Sequence, residues 1–247
     1  MLEKNEYIFG LRAVIEAIEA GKDIDKVLVR KDLSGDLAKE FFEVARRYGI
    51  VIIHERQEFF NRITGKNHQG VLAILSSVTY HSLDNLVPQL YEEGKMPFVV
   101  LLDGVTDVRN FGAIARTCEC AGADAIVIPE RGGVGVNGDA MKTSAGALNY
   151  LTVCRERSIL SAVRFLKDNG YQIVCATEKG ARDYTLGDYT GPVALVMGAE
   201  DVGISPEILR VADTLAAIPQ RGKIGSLNVS VAAGVMIYEV VRQRMAE

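Results

Sequence analysis

The sequence predicts an α/β protein built on a parallel sheet, with a smaller α/β unit ahead of it. From Phe98 onward, six short apolar runs alternate with helical patterns, the order expected of βαβ units. The runs are almost continuously hydrophobic, as in strands buried on both faces. Before residue 80, shorter helix and strand patterns close on their own glycines. The 247 residues, 48% of them hydrophobic and 24% charged, are enough for one large core or two small ones.

In the first 80 residues, FGLRAVIEAIEAG carries apolar residues at helical spacing and stops at Gly21. KVLVR follows as a strand, DLAKEFFEVARRYG as a helix closed by Gly49, and IVIIHE as a strand. QEFFNRIT is a short helix, and GVLAIL a strand after the turn KNHQ. Residues 81–97 are polar, contain two prolines and one helical stretch, and read as a linker. The main domain, 98–247, then offers FVVLLD, DAIVIP, YLTVCR, YQIVCATE, VALVMG and TLAAIP as strands. FGAIARTCECAG, AMKTSAGAL, ILSAVRFLKDNG and PEILRVA form the helices between them, and a long amphipathic helix from about Leu227 to Met245 ends the pattern.

Net charge is −4, which argues against a generally adhesive nucleic-acid binder and leaves room for a local basic site. The charge is uneven: 12 basic and 12 acidic residues up to Tyr80, against 16 and 20 from His81 onward. No apolar run is long enough for a membrane span, and the charged start lacks an apolar signal core, so a cytoplasmic protein is expected. The four cysteines read as reduced core thiols. Cys118 and Cys120 sit two apart in a helical pattern, on different faces, and three scattered histidines lack ligand spacing, so no metal is expected.

The run GGVGVNG (132–138) contains G-x-G-x-x-G at Gly133, Gly135 and Gly138, the phosphate cradle of dinucleotide enzymes. A strand precedes it, a helix follows, and Glu156 stands near the end of the next strand, as the fingerprint asks. The spacing is wrong, however, because Glu130, Arg131 and Gly132 intervene where the first glycine must turn the chain directly off the strand. Among 24 glycines such a match is weak. The run reads instead as a flexible loop between strand and helix, and an NAD-type oxidoreductase is kept as a rival.

Three later strands point elsewhere. YQIVCATE runs into KGARDY, VALVMG into AEDVGIS, and TLAAIP into QRGKIGSLNVS. In a parallel sheet these polar, glycine-rich loops share one edge, where ligands bind. The loop after FVVLLD joins them and carries Asn110 and, two helical turns on, Arg116. Each polar residue also has an ordinary explanation. Asn110 sits where a helix cap belongs, Arg116 could pair with Glu119, Glu200 could occupy a plain turn, and Ser226 or Asn228 could cap the last helix.

Together these residues form longer motifs. NFGAIARTCECAGA, LVMGAEDVGIS and IPQRGKIGSLNVSVAAGVMIYE occur in order, and the chain thereby resembles the SpoU (TrmH-type) branch of the SPOUT RNA ribose 2′-O-methyltransferases, particularly those acting on guanosine in 23S rRNA. YIFGLRAVIEAI and NHQGVLAI are similar to the small ribosomal-protein-like domain with which such enzymes hold RNA. One departure stands out: the second motif often has glycine after its glutamate, whereas this chain has Asp201 and Val202.

The resemblance implies a C-terminal deep trefoil knot, which local rules alone would not predict. It implies S-adenosyl-L-methionine as cofactor, held near Thr177, Glu178, Gly180, Gly198, Ile218 and Leu227. It also implies that Arg116, Asn110, Glu200, Ser226 and Asn228 serve the transfer, and that a homodimer packs through the knotted domain with Arg116 reaching the partner's site. Arg109, Arg221 and Lys223 would add local positive charge for RNA. The loop at GGVGVNG would lie on the RNA-facing side, with Arg131 near a phosphate and Asn137 or Asp139 capping the next helix. A tRNA substrate, or a non-catalytic RNA-binding or ribosome-assembly role, remains an alternative.

Overall fold

The structure, a computed structural model, describes residues 7–179 and 181–245. It divides into two compact units. The first holds the chain up to Thr79 together with Gly135–Gly138, and the second holds Tyr80–Val134 and everything from Asp139 on.

The first unit runs β1 (Tyr7–Phe9), α1 (Leu11–Glu19), β2 (Ile24–Arg30), α2 (Asp36–Arg47), β3 (Ile52–Glu55), α3 (Gln57–Ile63) and β4 (Val71–Leu75). The sheet order is β1-β4-β2-β3, with only β2 and β3 parallel. Val27, Val29, Val71 and Ala73 cluster with the apolar stripes of α1 and α2. The alternate residues Leu28, Leu72 and Ile74 point the other way and meet Phe60 of α3. α1 borrows its cap: Gly10 has no side chain to offer, and Gln69 Oε1 accepts the Leu11 N–H at 3.0 Å.

The second unit runs β5 (Tyr80–His81), α4 (Leu83–Glu92), β6 (Phe98–Asp103), α5 (Val108–Cys120), β7 (Ala125–Pro129), α6 (Gly138–Thr143), β8 (Thr152–Glu156) and α7 (Ile159–Asp168). It continues with β9 (Gln172–Ala176), β10 (Arg182–Asp183), β11 (Val193–Gly198), α8 (Pro206–Val211), β12 (Thr214–Ala217) and α9 (Val229–Arg244). Its eight strands lie in the order β10-β12-β9-β11-β6-β7-β8-β5, and every pair is parallel. α4, α7 and α8 pack on one side, with Leu83, Val87, Val163 and Ile208 against Val99, Val127 and Val196. α5 and α9 pack against each other, with Phe111, Ile114, Met236 and Ile237 fully buried. The end of α9 is tied to distant backbone: the Arg244 guanidinium donates to the carbonyls of Met96 and Gly191 at 2.8 and 2.7 Å.

Three local expectations change. The stretch 81–97, read as a linker, lies within the second unit, because α4 buries Leu83, Val87 and Leu90 there. Glu156, considered as a ribose-binding acid, instead accepts the Leu83 N–H at 2.7 Å and so caps α4; burial raises its pKa above the ordinary carboxylate value. The GGVGVNG loop is packed, not bare. Val134 and Val136 are buried, residues 135–138 group with the first unit, and the Val136 carbonyl accepts the Ser77 N–H at 2.9 Å.

Candidate functional site

The order β12-β9-β11-β6 sets four strand ends side by side, and the loops after them build the site. β6 ends at Asp103, whose Oδ2 accepts the backbone N–H and the hydroxyl of Ser205 at 2.7 and 2.6 Å. That pair of hydrogen bonds anchors the far end of the loop leaving β11. Within this loop Gly203 donates back to the Ala199 carbonyl at 2.9 Å, folding the turn tightly over Gly198. A methyl group on Gly198 would run into the backbone of Gly203 and Ile204, so no larger residue fits this turn.

Asp107, not Asn110, caps α5, accepting the N–H groups of Arg109 and Asn110 at 2.9 Å each. Freed from capping, the Asn110 side chain donates to Glu200 Oε1 at 3.1 Å. The Asn228 amide donates to the same oxygen and, at 3.0 Å, to Asn110 Oδ1. Asn228 also caps α9, its Oδ1 accepting the Ser230 N–H at 2.9 Å. Glu200 lies against that helix start, with the Val229 N–H 3.4 Å away, where the helix dipole favours a carboxylate. One glutamate therefore joins the loop after β11, the first turn of α5 and the first turn of α9.

Beside this triad is a cleft of about 250 Å³. Thr177 and Glu178 after β9, Gly198 at the end of β11 with Glu200 beyond it, and Ile218, Ser226 and Leu227 after β12 all line it. Gly180 lies outside the described residues. The lining carries three carboxylates, Glu178, Glu200 and Asp201, against the single cation of Lys179. Apolar Met197, Ile218 and Leu227 complete it. Such a surface fits a flat, polar ligand bearing positive charge.

Arg116 is not on this cleft. It is exposed, two turns along α5, and forms no ion pair among the described residues, with Glu119 or with any other acid. Glu200 receives the amides of Asn110 and Asn228 and forms no ion pair among the described residues. Arg109, Arg221 and Lys223 are exposed. None of residues 132–138 lines the cleft. Three residues that position the site are not found by sequence reasoning. Asp107 could have been found from the cap signal of an acid three residues before Asn110. The Asp103–Ser205 pairing spans 102 residues and leaves no local trace.

Among the described residues no group of three potential ligands is placed to hold a metal, and no helix is long and apolar enough to cross a membrane. Cys118, Cys154 and Cys175 are buried, and burial pushes each thiol up to about 12.

Residues 97–238 match the model of the SpoU rRNA methylase family, and residues 7–81 match that of the RNA 2′-O ribose methyltransferase substrate-binding domain. The chain is 32% identical over 244 residues to YacO of Bacillus subtilis, named as a TrmH family tRNA/rRNA methyltransferase, covering 99% of this chain and 98% of that one. It is similar to the AdoMet-bound rRNA methyltransferase of Sinorhizobium meliloti, with a TM-score of 0.61 and 28% identity, over 96% of this chain and 86% of the other. It is also similar to the TrmH/SpoU tRNA modifying enzyme of A. aeolicus, with a TM-score of 0.57 and 31% identity, over 66% of this chain and 85% of the other.

Proposed function

The chain belongs to the SpoU rRNA methylase family and is an S-adenosylmethionine-dependent RNA 2′-O-ribose methyltransferase, and from that premise we propose that it methylates a guanosine ribose of 23S rRNA. The rRNA reading is supported by extent: the likeness to the S. meliloti rRNA enzyme covers 96% of the chain, that to the tRNA enzyme 66%.

The observation that carries the site assignment is the cleft itself. Its carboxylate-rich lining suits a sulfonium, and the tight turn at Gly198 gives it a wall of backbone. In this reading Thr177, Glu178, Gly180, Gly198, Ile218 and Leu227 hold the cofactor, which when bound supplies a methyl group already activated for transfer. The chain's own task is alignment and the handling of one proton.

A guanidinium is not a general base, so Arg116 takes a different part. Its role is to pair with the target phosphate and to stabilise the alkoxide developing on the 2′-oxygen; the phosphate accepts the proton. Glu200 is a positioning residue: it holds the amides of Asn110 and Asn228 where, with Ser226, they orient the target ribose. The exposure of Arg116 away from its own cleft suits a homodimer in which it serves the partner's cleft. α9 supports that assembly, since Val231 and Tyr238 are 52% and 50% exposed, seven residues apart on one face. The knot, and a place in the cytoplasm, belong to the same reading.

Mapping 2′-O-methylguanosine in RNA from cells lacking the gene tests the substrate. Loss of one mark in 23S rRNA is expected; loss confined to tRNA would overturn the rRNA assignment.

A further inference from the structure

The substrate-binding unit is electrically neutral over its first 80 residues, so its attraction for RNA has to be local. Several of its cations are already committed: Arg12 to Glu40, Lys26 to Asp25, Arg30 to Asp32 and Lys39 to Asp36. Lys66 and Arg62 have no ion pair among the described residues. Lys66 instead holds its ammonium 5.5 Å from the centre of the Phe9 ring.

Phe9 and Tyr7 alternate on β1, an edge strand, and therefore point to the same face of the sheet. Their register, Tyr7 with Ile74 and Phe9 with Leu72, puts them on the face that carries Leu28 and meets Phe60. α3 spans only Gln57–Ile63, and Tyr7 and Phe9 stay partly exposed, their ring centres 6.2 Å apart. Edge strands are ordinarily protected by charge. This one carries Tyr-Ile-Phe, with a lysine poised over one ring.

Adjacent aromatic rings on a sheet face with a free cation beside them match the chemistry of single-stranded RNA, whose unpaired bases stack on rings while cations take the phosphates. We propose that Tyr7, Phe9 and Lys66 form a stacking platform for unpaired nucleotides of the substrate. The proposal rests on the RNA-methyltransferase reading and deepens it: the enzyme recognises an unpaired segment through this strand as well as the target nucleotide at the cleft.

The protein contains no tryptophan, which allows a direct optical test. Tyr7→Trp keeps a stacking ring and adds the only indole in the chain. Titrating the full-length variant, without cofactor, with a short oligoadenylate should quench its emission, while an RNA duplex should not. Phe9→Leu, which keeps apolar volume and loses the ring, should weaken oligoadenylate binding about fivefold or more. Lys66→Gln should reduce the steepness of log affinity against log salt by about 0.7.

Unchanged indole emission at saturating oligoadenylate, or affinity and salt slope unmoved by both substitutions, would overturn the platform. Because no methyl transfer is measured, these results are independent of the catalytic assignment. Quenching in a protein that transfers no methyl group would leave the platform standing and sink the function.

Discussion

At the scale of single residues, Glu200 is the meeting point of the site. One of its oxygens receives two asparagine amides that lie 118 residues apart in the chain, and the start of α9 lies against it. A hydrogen bond to a charged group contributes about 1.5–3 kcal/mol net. Glu200→Ala is accordingly expected to lower turnover by about ten- to a hundredfold, with weakened cofactor binding, because Asn110, Asn228 and one wall of the cleft lose their common partner. Methyl-transfer rates together with calorimetry check this; wild-type values in both would contradict it. Arg116→Ala should behave differently. Turnover should fall by about a hundredfold or more, while cofactor affinity, measured on the same preparation, stays within twofold of wild type. Loss of cofactor binding would mean the residue is misplaced. Asn110 and Asn228 were both identified as site candidates from sequence, and both were also plausible caps. Asp107 relieves Asn110 of capping, whereas Asn228 caps α9 through its Oδ1 and donates to Asn110 through its amide nitrogen.

At the scale of elements, the tight turn after β11 is the feature most sensitive to change. Gly198→Ala forces a methyl group into the backbone of Gly203 and Ile204, at a cost of about 1–3 kcal/mol. Melting temperature should drop and cofactor binding should fail together. Gly191→Ala, where nothing lies within 4 Å, serves as the control and should change neither. Comparable melting curves for the two variants would refute the packing argument. The elements also show why some were legible and others not. β6, β7, β9 and β11 are buried on both faces, so their apolar runs stand out. β5 and β10 are two residues each, too short for any periodicity, and they occupy the sheet edges. α4 was visible as a helix but not as part of the core. Pro88 and its polar flanks read as linker, whereas Leu83, Val87 and Leu90 face inward at helical spacing.

At the scale of the whole molecule, the convergence of loops at one edge of the second unit's sheet follows from the sequence because parallel order dictates it. Which distant residues bolt that edge together does not follow, as Asp103 with Ser205 illustrates. The buried thiols report on the integrity of the second unit. Burial raises Cys118, Cys154 and Cys175 to about 12, so the folded protein holds their protons longer than the unfolded chain. Their contribution to stability is complete below pH 9 and is lost progressively as pH rises toward 12. Native protein near pH 8 should therefore expose at most one reactive thiol, Cys120, and the denatured chain all four; three or more reactive thiols in the native state would contradict the fold. The central claim is transfer to a ribose oxygen. Purified enzyme, methyl-labelled S-adenosylmethionine and 23S rRNA, followed by alkaline hydrolysis, test it directly. The account predicts label retained in an alkali-resistant dinucleotide with guanosine on its 5′ side, the mark of a blocked 2′-oxygen. Label released on a free base or a mononucleotide, or no label in the RNA, would contradict it.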